Sequence, residues 1–167
     1  YYPLSTLRHF FECAGADNKI ATGMISEQQM LEILAPNNLP KQLTDHCEIS
    51  AQARLLCISS LDIRRIEYDG SADSVVIDNS TGSIELTSKS DMDITADRIN
   101  GVLDINLWRA TAKVHIPAEN IPDIQSNGRK CGIAYIRDGK PYEPDTAEKS
   151  GVIKAAGIGT DVVVEIK

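Results

Sequence analysis

The residues able to do chemistry are few and scattered. His9, His46 and His115 could act as general bases. Nucleophilic catalysis, however, needs a base in reach of an activated hydroxyl and a third group to orient it. No G-x-S-x-G elbow supplies such a serine, and His115 takes the outward parity of the run Ala112, Val114, Ile116. His46 and Cys47 are adjacent; on a helix, neighbouring side chains diverge by about 100°, which separates them as a Cys–His pair. Cys13, Cys47, Cys57 and Cys131 form no C-x-x-C pair and no four-ligand zinc spacing. Spread this thinly, they read as small apolar fillers rather than as a disulfide scaffold. There is no phosphate-cradling glycine loop. The expectation is a chain that is not an enzyme, with no catalytic residues, no metal and no cofactor.

Other constellations suggest binding. Asn18–Gln29 superficially resembles a calcium loop, with Gly23 at its sixth position, but Ile20 and Gln29 stand where oxygen ligands and a bidentate Glu are needed. Asp91, Asp93, Asp97 and Asp104 read as an acidic cluster at one edge of the strand region, a solvated face that blunts strand edges. Trp108 lies opposite in parity to Leu103, Ile105 and Leu107, so it faces outward beside Arg109 as a candidate ligand-stacking aromatic, or packs against helices. Val163 sits in Val162–Ile166, a strand apolar on both faces; such a strand is either central or covered by another molecule. Trp108, Arg109 and Val163 are the candidate binding residues.

The elements that would carry these residues divide near residue 60. In residues 1–59, Leu4, Leu7, Phe10, Phe11 and Ala14 recur at helical spacing, and Ser26–Ala35 opens with a capping box and carries Met30, Ile33 and Leu34. Residues 39–46 add a third short turn opened by Pro40. A small helical N-terminal element is therefore expected. In residues 60–167 the apolar period becomes two, with Val75 and Ile77, Ile84 and Leu86, Leu103 to Leu107, Val114 and Ile116, then Val162 to Ile166. Asp69-Gly70, Asp78–Gly82, Asn100-Gly101, Asn127-Gly128 and Asp138-Gly139 punctuate it, each supplying a residue that tolerates positive φ. The expected class is mainly β, a β-solenoid-like fold or a sandwich of many short strands.

Composition limits the partners. At 42% hydrophobic and 25% charged, 167 residues can bury one sizeable core. With 5% aromatics that core must be aliphatic. A net charge of -7 with only Arg64-Arg65 as a basic pair argues against nucleic acid and anionic membrane surfaces. No apolar run approaches the roughly 20 residues of a membrane span.

The ordered segments Ser74–Asp78, Thr81–Leu86, Asp93–Ala96, Gly101–Ile105, Ala112–Pro117, Gly151–Lys154 and Asp161–Lys167 resemble a bacterial adhesin family of β-solenoid-like domains whose name presumes adhesion. The resemblance covers about residues 60–167. It implies stacked rungs, each burying its apolar face against its neighbours, and no catalytic residues to carry over. The expected function is a noncatalytic binding or structural module, with the cell envelope or exterior favoured as its location. Its partner would be a protein or a second copy, met through Val163 or the Trp108 face. The alternative is an intracellular regulatory or scaffold domain with a helical partner-binding or DNA-binding element. Residues encoded before Tyr1 would discriminate the two.

Overall fold

The computed structural model describes residues 8–11, 19–24, 30–33, 46–59, 62–145 and 148–167. The alternation of aliphatic and polar residues forms strands with one buried face, as in Met92–Ala96, whose residues are alternately buried and exposed. The strands are β1 (Arg8–Phe11), β2 (Lys19–Met24), β3 (Met30–Ile33), β4 (His46–Ser59), β5 (Asp62–Asp69), β6 (Ala72–Asp78), β7 (Thr81–Ser88) and β8 (Met92–Ala96). They continue as β9 (Asn100–Trp108), β10 (Thr111–Ile116), β11 (Asp123–Ser126), β12 (Gly132–Arg137), β13 (Lys140–Pro141), β14 (Val152–Ile158) and β15 (Asp161–Ile166). Among the described residues there is no helix long and apolar enough to cross a membrane.

Two sheets are built by alternation. The first sheet contains β2, the first part of β4, then β5, β7, β9, β14 and β11. The second contains β1, β3, the rest of β4, then β6, β8, β10, β15 and β12. Every one of these pairings is parallel; the two-residue β13 alone adds antiparallel to β12. Each successive strand pair, such as β5–β6 or β7–β8, forms one level spanning both sheets. The last two levels are out of chain order. β14–β15 lies against β9–β10, and β11–β12 stacks beyond it.

The register places like on like. In the first sheet Ile66, Ile84, Leu103, Ile153 and Ile124 stand opposite one another in succession. In the second, Leu56, Val75, Ile94, Val114, Val164 and Tyr135 do so. These rows face each other as one aliphatic core. Tyr68 is also fully buried, and its hydroxyl donates to Ser71 O at 2.7 Å. Burial raises its pKa.

Corners between levels are held laterally. Asp97 Oδ2 accepts the Asn79 N–H at 3.1 Å, and Asp91 Oδ1 accepts that of Thr111 at 2.8 Å. Thr160 is fully buried at the β14–β15 corner, where its hydroxyl accepts the Leu107 N–H at 3.1 Å.

The expected helical element needs correction where the structure describes it. Arg8–Phe11 and Met30–Ile33 are strands, as are Lys19–Met24 and the long His46–Ser59. The physical reason is the partner: Met30–Ile33 pairs residue for residue with Leu55–Ile58, so its backbone donors enter a ladder instead of a helix. An apolar run this short fits either period. His46 and Cys47 lie on a strand, and residues 19–24 of the calcium-loop look-alike are strand as well. The capping box at Ser26, the turn at 39–45 and Cys13 lie outside the described residues. β4 pairs with both β5 and β6, so residues 46–59 share ladders with residues 62–78.

Candidate functional site

The edge where first-sheet strands turn into the second sheet carries a groove of about 510 Å³. Its apolar part comes from Trp108, the last residue of β9, and Ile158, the last of β14. These two are directly opposite in register. Both sit at outward parity, at 50% and 49% exposure, while their neighbours Leu107, Ile105 and Ala155 are buried. They are the two exposed large hydrophobics among the described residues.

Backbone geometry fixes this pair. Arg109 takes a positive φ of 50° and its N–H donates to Ile158 O at 2.8 Å. Gly157, at φ 82°, lies so close to β9 that a Cβ there would fall 2.3 Å from Leu107 O. Only glycine permits that approach. Arg129 bridges to Ile158 from the outermost level, and the Gly159 N–H donates to its carbonyl at 2.8 Å.

Polar groups border the indole. Lys89 Nζ lies 5.4 Å and the Arg109 guanidinium 6.0 Å from the centre of the Trp108 ring, both within cation–π range. Asp69, Thr87 and Asn106 form the adjacent row, in register across β5, β7 and β9; all three line the groove.

Next along the first sheet runs a carboxylate row, Glu67, Glu85 and Asp104, ending at Lys154. Arg65 bonds to Glu67 Oε1 through Nε at 2.9 Å and reaches Glu85 Oε2 through Nη2. Burial raises the pKa of Glu85 and Asp104, against the pull of Arg65 and, for Asp104, of Lys154. Asp104 Oδ1 is buried with no hydrogen-bond partner.

The other candidates lie apart. Val163 is half-buried on the outward face of β15 in the second sheet, between Lys113 and Ala134. β15 is flanked by β10 and β12, so it is not a sheet edge, and its outward Val163 is partly covered by the neighbouring strands' side chains. Trp108 and Val163 therefore stand on different sheets, not on one face. Trp108 is half exposed at a strand corner. The four aspartates are not one cluster: Asp104 faces out of the first sheet, Asp93 lies on the second, and Asp91 and Asp97 cap two different corners. Among the described residues no three His, Cys, Asp or Glu side chains converge as a metal site.

His115 does face outward, yet its side chain is only 16% exposed. Nε2 lies 2.6 Å from Asp93 Oδ1, and Nδ1 is buried without a hydrogen-bond partner. Glu165 alongside is held below the usual carboxylate range by its hydrogen bond to Lys113. Among the described residues, the polar partners of His115 are Asp93 and Glu165, with no serine or cysteine in the group. Cys131 is partly buried, with its Sγ near the carbonyls of Arg129 and Ala156.

Sequence reasoning found Trp108 and Arg109 but not Ile158, Lys89 or the polar row. Ile158 gave no distinguishing signal, because Val152 and Ala156 are apolar at the same outward parity of β14; only its register with Trp108 and its exposure mark it. Compared with family models, with curated proteins and with solved structures, the chain matches none. The fold and groove define an all-β protein with two parallel sheets and an exposed aromatic corner.

Proposed function

We propose that this chain is a noncatalytic binding module, its two sheets a solenoid-like scaffold and its contact surface the Trp108–Ile158 corner. The observation that carries the reading is the pairing of the two exposed large hydrophobics, opposite one another in register and bordered by a polar row. Exposed apolar side chains that adjoin in a groove mark contact surfaces, whereas single scattered ones do not. The level-by-level register supports the solenoid reading, because each level stacks its apolar residues in register on the next while the two sheets close over a shared core. A cell-envelope location is proposed on the resemblance of residues 60–167 to the adhesin family.

The test is a binding panel of peptides, glycans and nucleic acids, run with the native chain and with a Trp108→Ala, Ile158→Ser double variant. Both side chains are half exposed, so the variant is expected to keep its circular-dichroism spectrum and its melting temperature within a few degrees. Loss of captured ligands with retained fold is the expected result. Identical capture by both proteins, or turnover of a panel member, defeats the proposal.

A further inference from the structure

We infer that the ligand of this groove is an anionic polysaccharide, a chain of carboxylate-bearing sugars running across the strands against Trp108. The inference rests on the binding-module reading and adds the chemical class. A half-exposed indole offers a flat apolar face, the complement of the C–H face of a pyranose ring. Around that face the polar groups are of two kinds. Asp69 and Asn106 have no side-chain hydrogen bond among the described residues, and with Thr87 they offer the acceptors and donors that sugar hydroxyls require. Lys89 and Arg109 stand 5.4 and 6.0 Å from the ring centre. Neither is ion-paired among the described residues, although the chain as a whole carries a net charge of -7. A ring stacked on Trp108 brings its substituents to these two cations, and a carboxylate satisfies them where a neutral sugar does not.

Spacing separates a sugar chain from a peptide. Trp108 and Ile158 stand on adjacent strands, with Lys89 directly after the end of β7 beside them, and Asp69, Thr87 and Asn106 stand on three adjacent strands, so side chains recur about every 4.8 Å across the sheet. That interval is close to the length of one sugar in an extended chain. An extended peptide advances about 3.3 Å per residue and falls out of step. The carboxylate row Glu67, Glu85 and Asp104 lies one outward row beyond Asp69, Thr87 and Asn106 and repels a densely charged polyphosphate. A polymer with one carboxylate per residue can turn that edge toward Lys89 and Arg109.

Trp108 is the sole tryptophan, so its emission reports the groove directly. Titration with oligogalacturonate is expected to shift that emission saturably. Methyl esterification of the probe, or Lys89→Gln, is expected to weaken binding by about tenfold, the equivalent of roughly 1.4 kcal/mol. The distant charge control Lys140→Gln should leave it unchanged. Equal affinity for the neutral methyl ester overturns the anionic assignment while leaving a glycan-binding module standing. An equal response to polyglutamate reduces the effect to charge and overturns the sugar assignment. No emission change with any sugar overturns the inference outright; the separate binding panel then decides whether the groove binds another class.

Discussion

At the residue scale, outward-facing carboxylates have opposite electrostatic consequences on the two sheets. Glu85 and Asp104 have raised pKa values, chiefly through burial. The folded chain therefore binds their protons more tightly than the unfolded chain does. Stability from this source is fully present below the unfolded carboxylate range and declines as pH rises through the elevated folded values. Glu165 runs the other way, since its pKa is lowered. Its contribution is present at neutral pH and is lost as pH falls through the depressed folded value. Asp104→Asn removes a buried charge whose Oδ1 has no partner. The expected outcome is a higher melting temperature than native at pH 7, with the difference vanishing toward pH 4. Thermal melts across that range check it, and a lower melting temperature at pH 7 rejects it.

At the element scale, corners decide how closely levels stack. Gly82 and Gly101 are opposite in β7 and β9, and a Cβ on Gly101 would lie 2.2 Å from Gly82 O. Gly101 also has a φ of 132°, which other residues rarely adopt. Gly101→Ala is expected to destabilise the fold by about 2 kcal/mol or more through backbone displacement, as read by chemical denaturation. A change below about 0.5 kcal/mol would show that the levels part freely there. The sequence made this glycine visible as a turn residue, but it lies just inside β9, after the Asp97–Ile99 corner. Most strands of residues 62–166 were legible because aliphatics recur at alternate positions, as in Leu103, Ile105 and Leu107, whereas Asp123–Ser126 and the two-residue Lys140–Pro141 carry no such alternation and were not foreseen. Arg8–Phe11 and Met30–Ile33 were not, since four residues cannot distinguish a period of two from one of 3.6, and their pairing to β4 and to each other is nonlocal. Trp108 was legible by parity within β9. Its neighbours Lys89 and Ile158 come from β7's end and β14, fifty residues apart in places, and only register brings them to one corner.

At the scale of the whole molecule, the interpolated level matters most. β14–β15 sits between β9–β10 and β11–β12, so Val164 is covered by Val114 on one side and Tyr135 on the other. Ile124 in β11 pairs with Ile153 on one side and is only partly buried. Val164→Asp places a charge in the core and is expected to abolish the cooperative transition, while Ile124→Asp loosens the outer level and leaves a transition at lower denaturant. Hydrogen exchange checks the difference: with Ile124→Asp, amides of β5 to β10 should keep their protection while those of β11 and β12 lose it. Equal loss throughout would make the outer level as integral as the inner ones. The same interpolation has a mechanical meaning. A load applied at Lys167 does not unpeel the stack from its end, one ladder at a time. It pulls first on β15, gripped along its length by β10 and β12, and behind it on β14, held between β9 and β11. Two ladders must shear together before the chain yields, so under tension from that side the molecule behaves as a clamp and not as a zip.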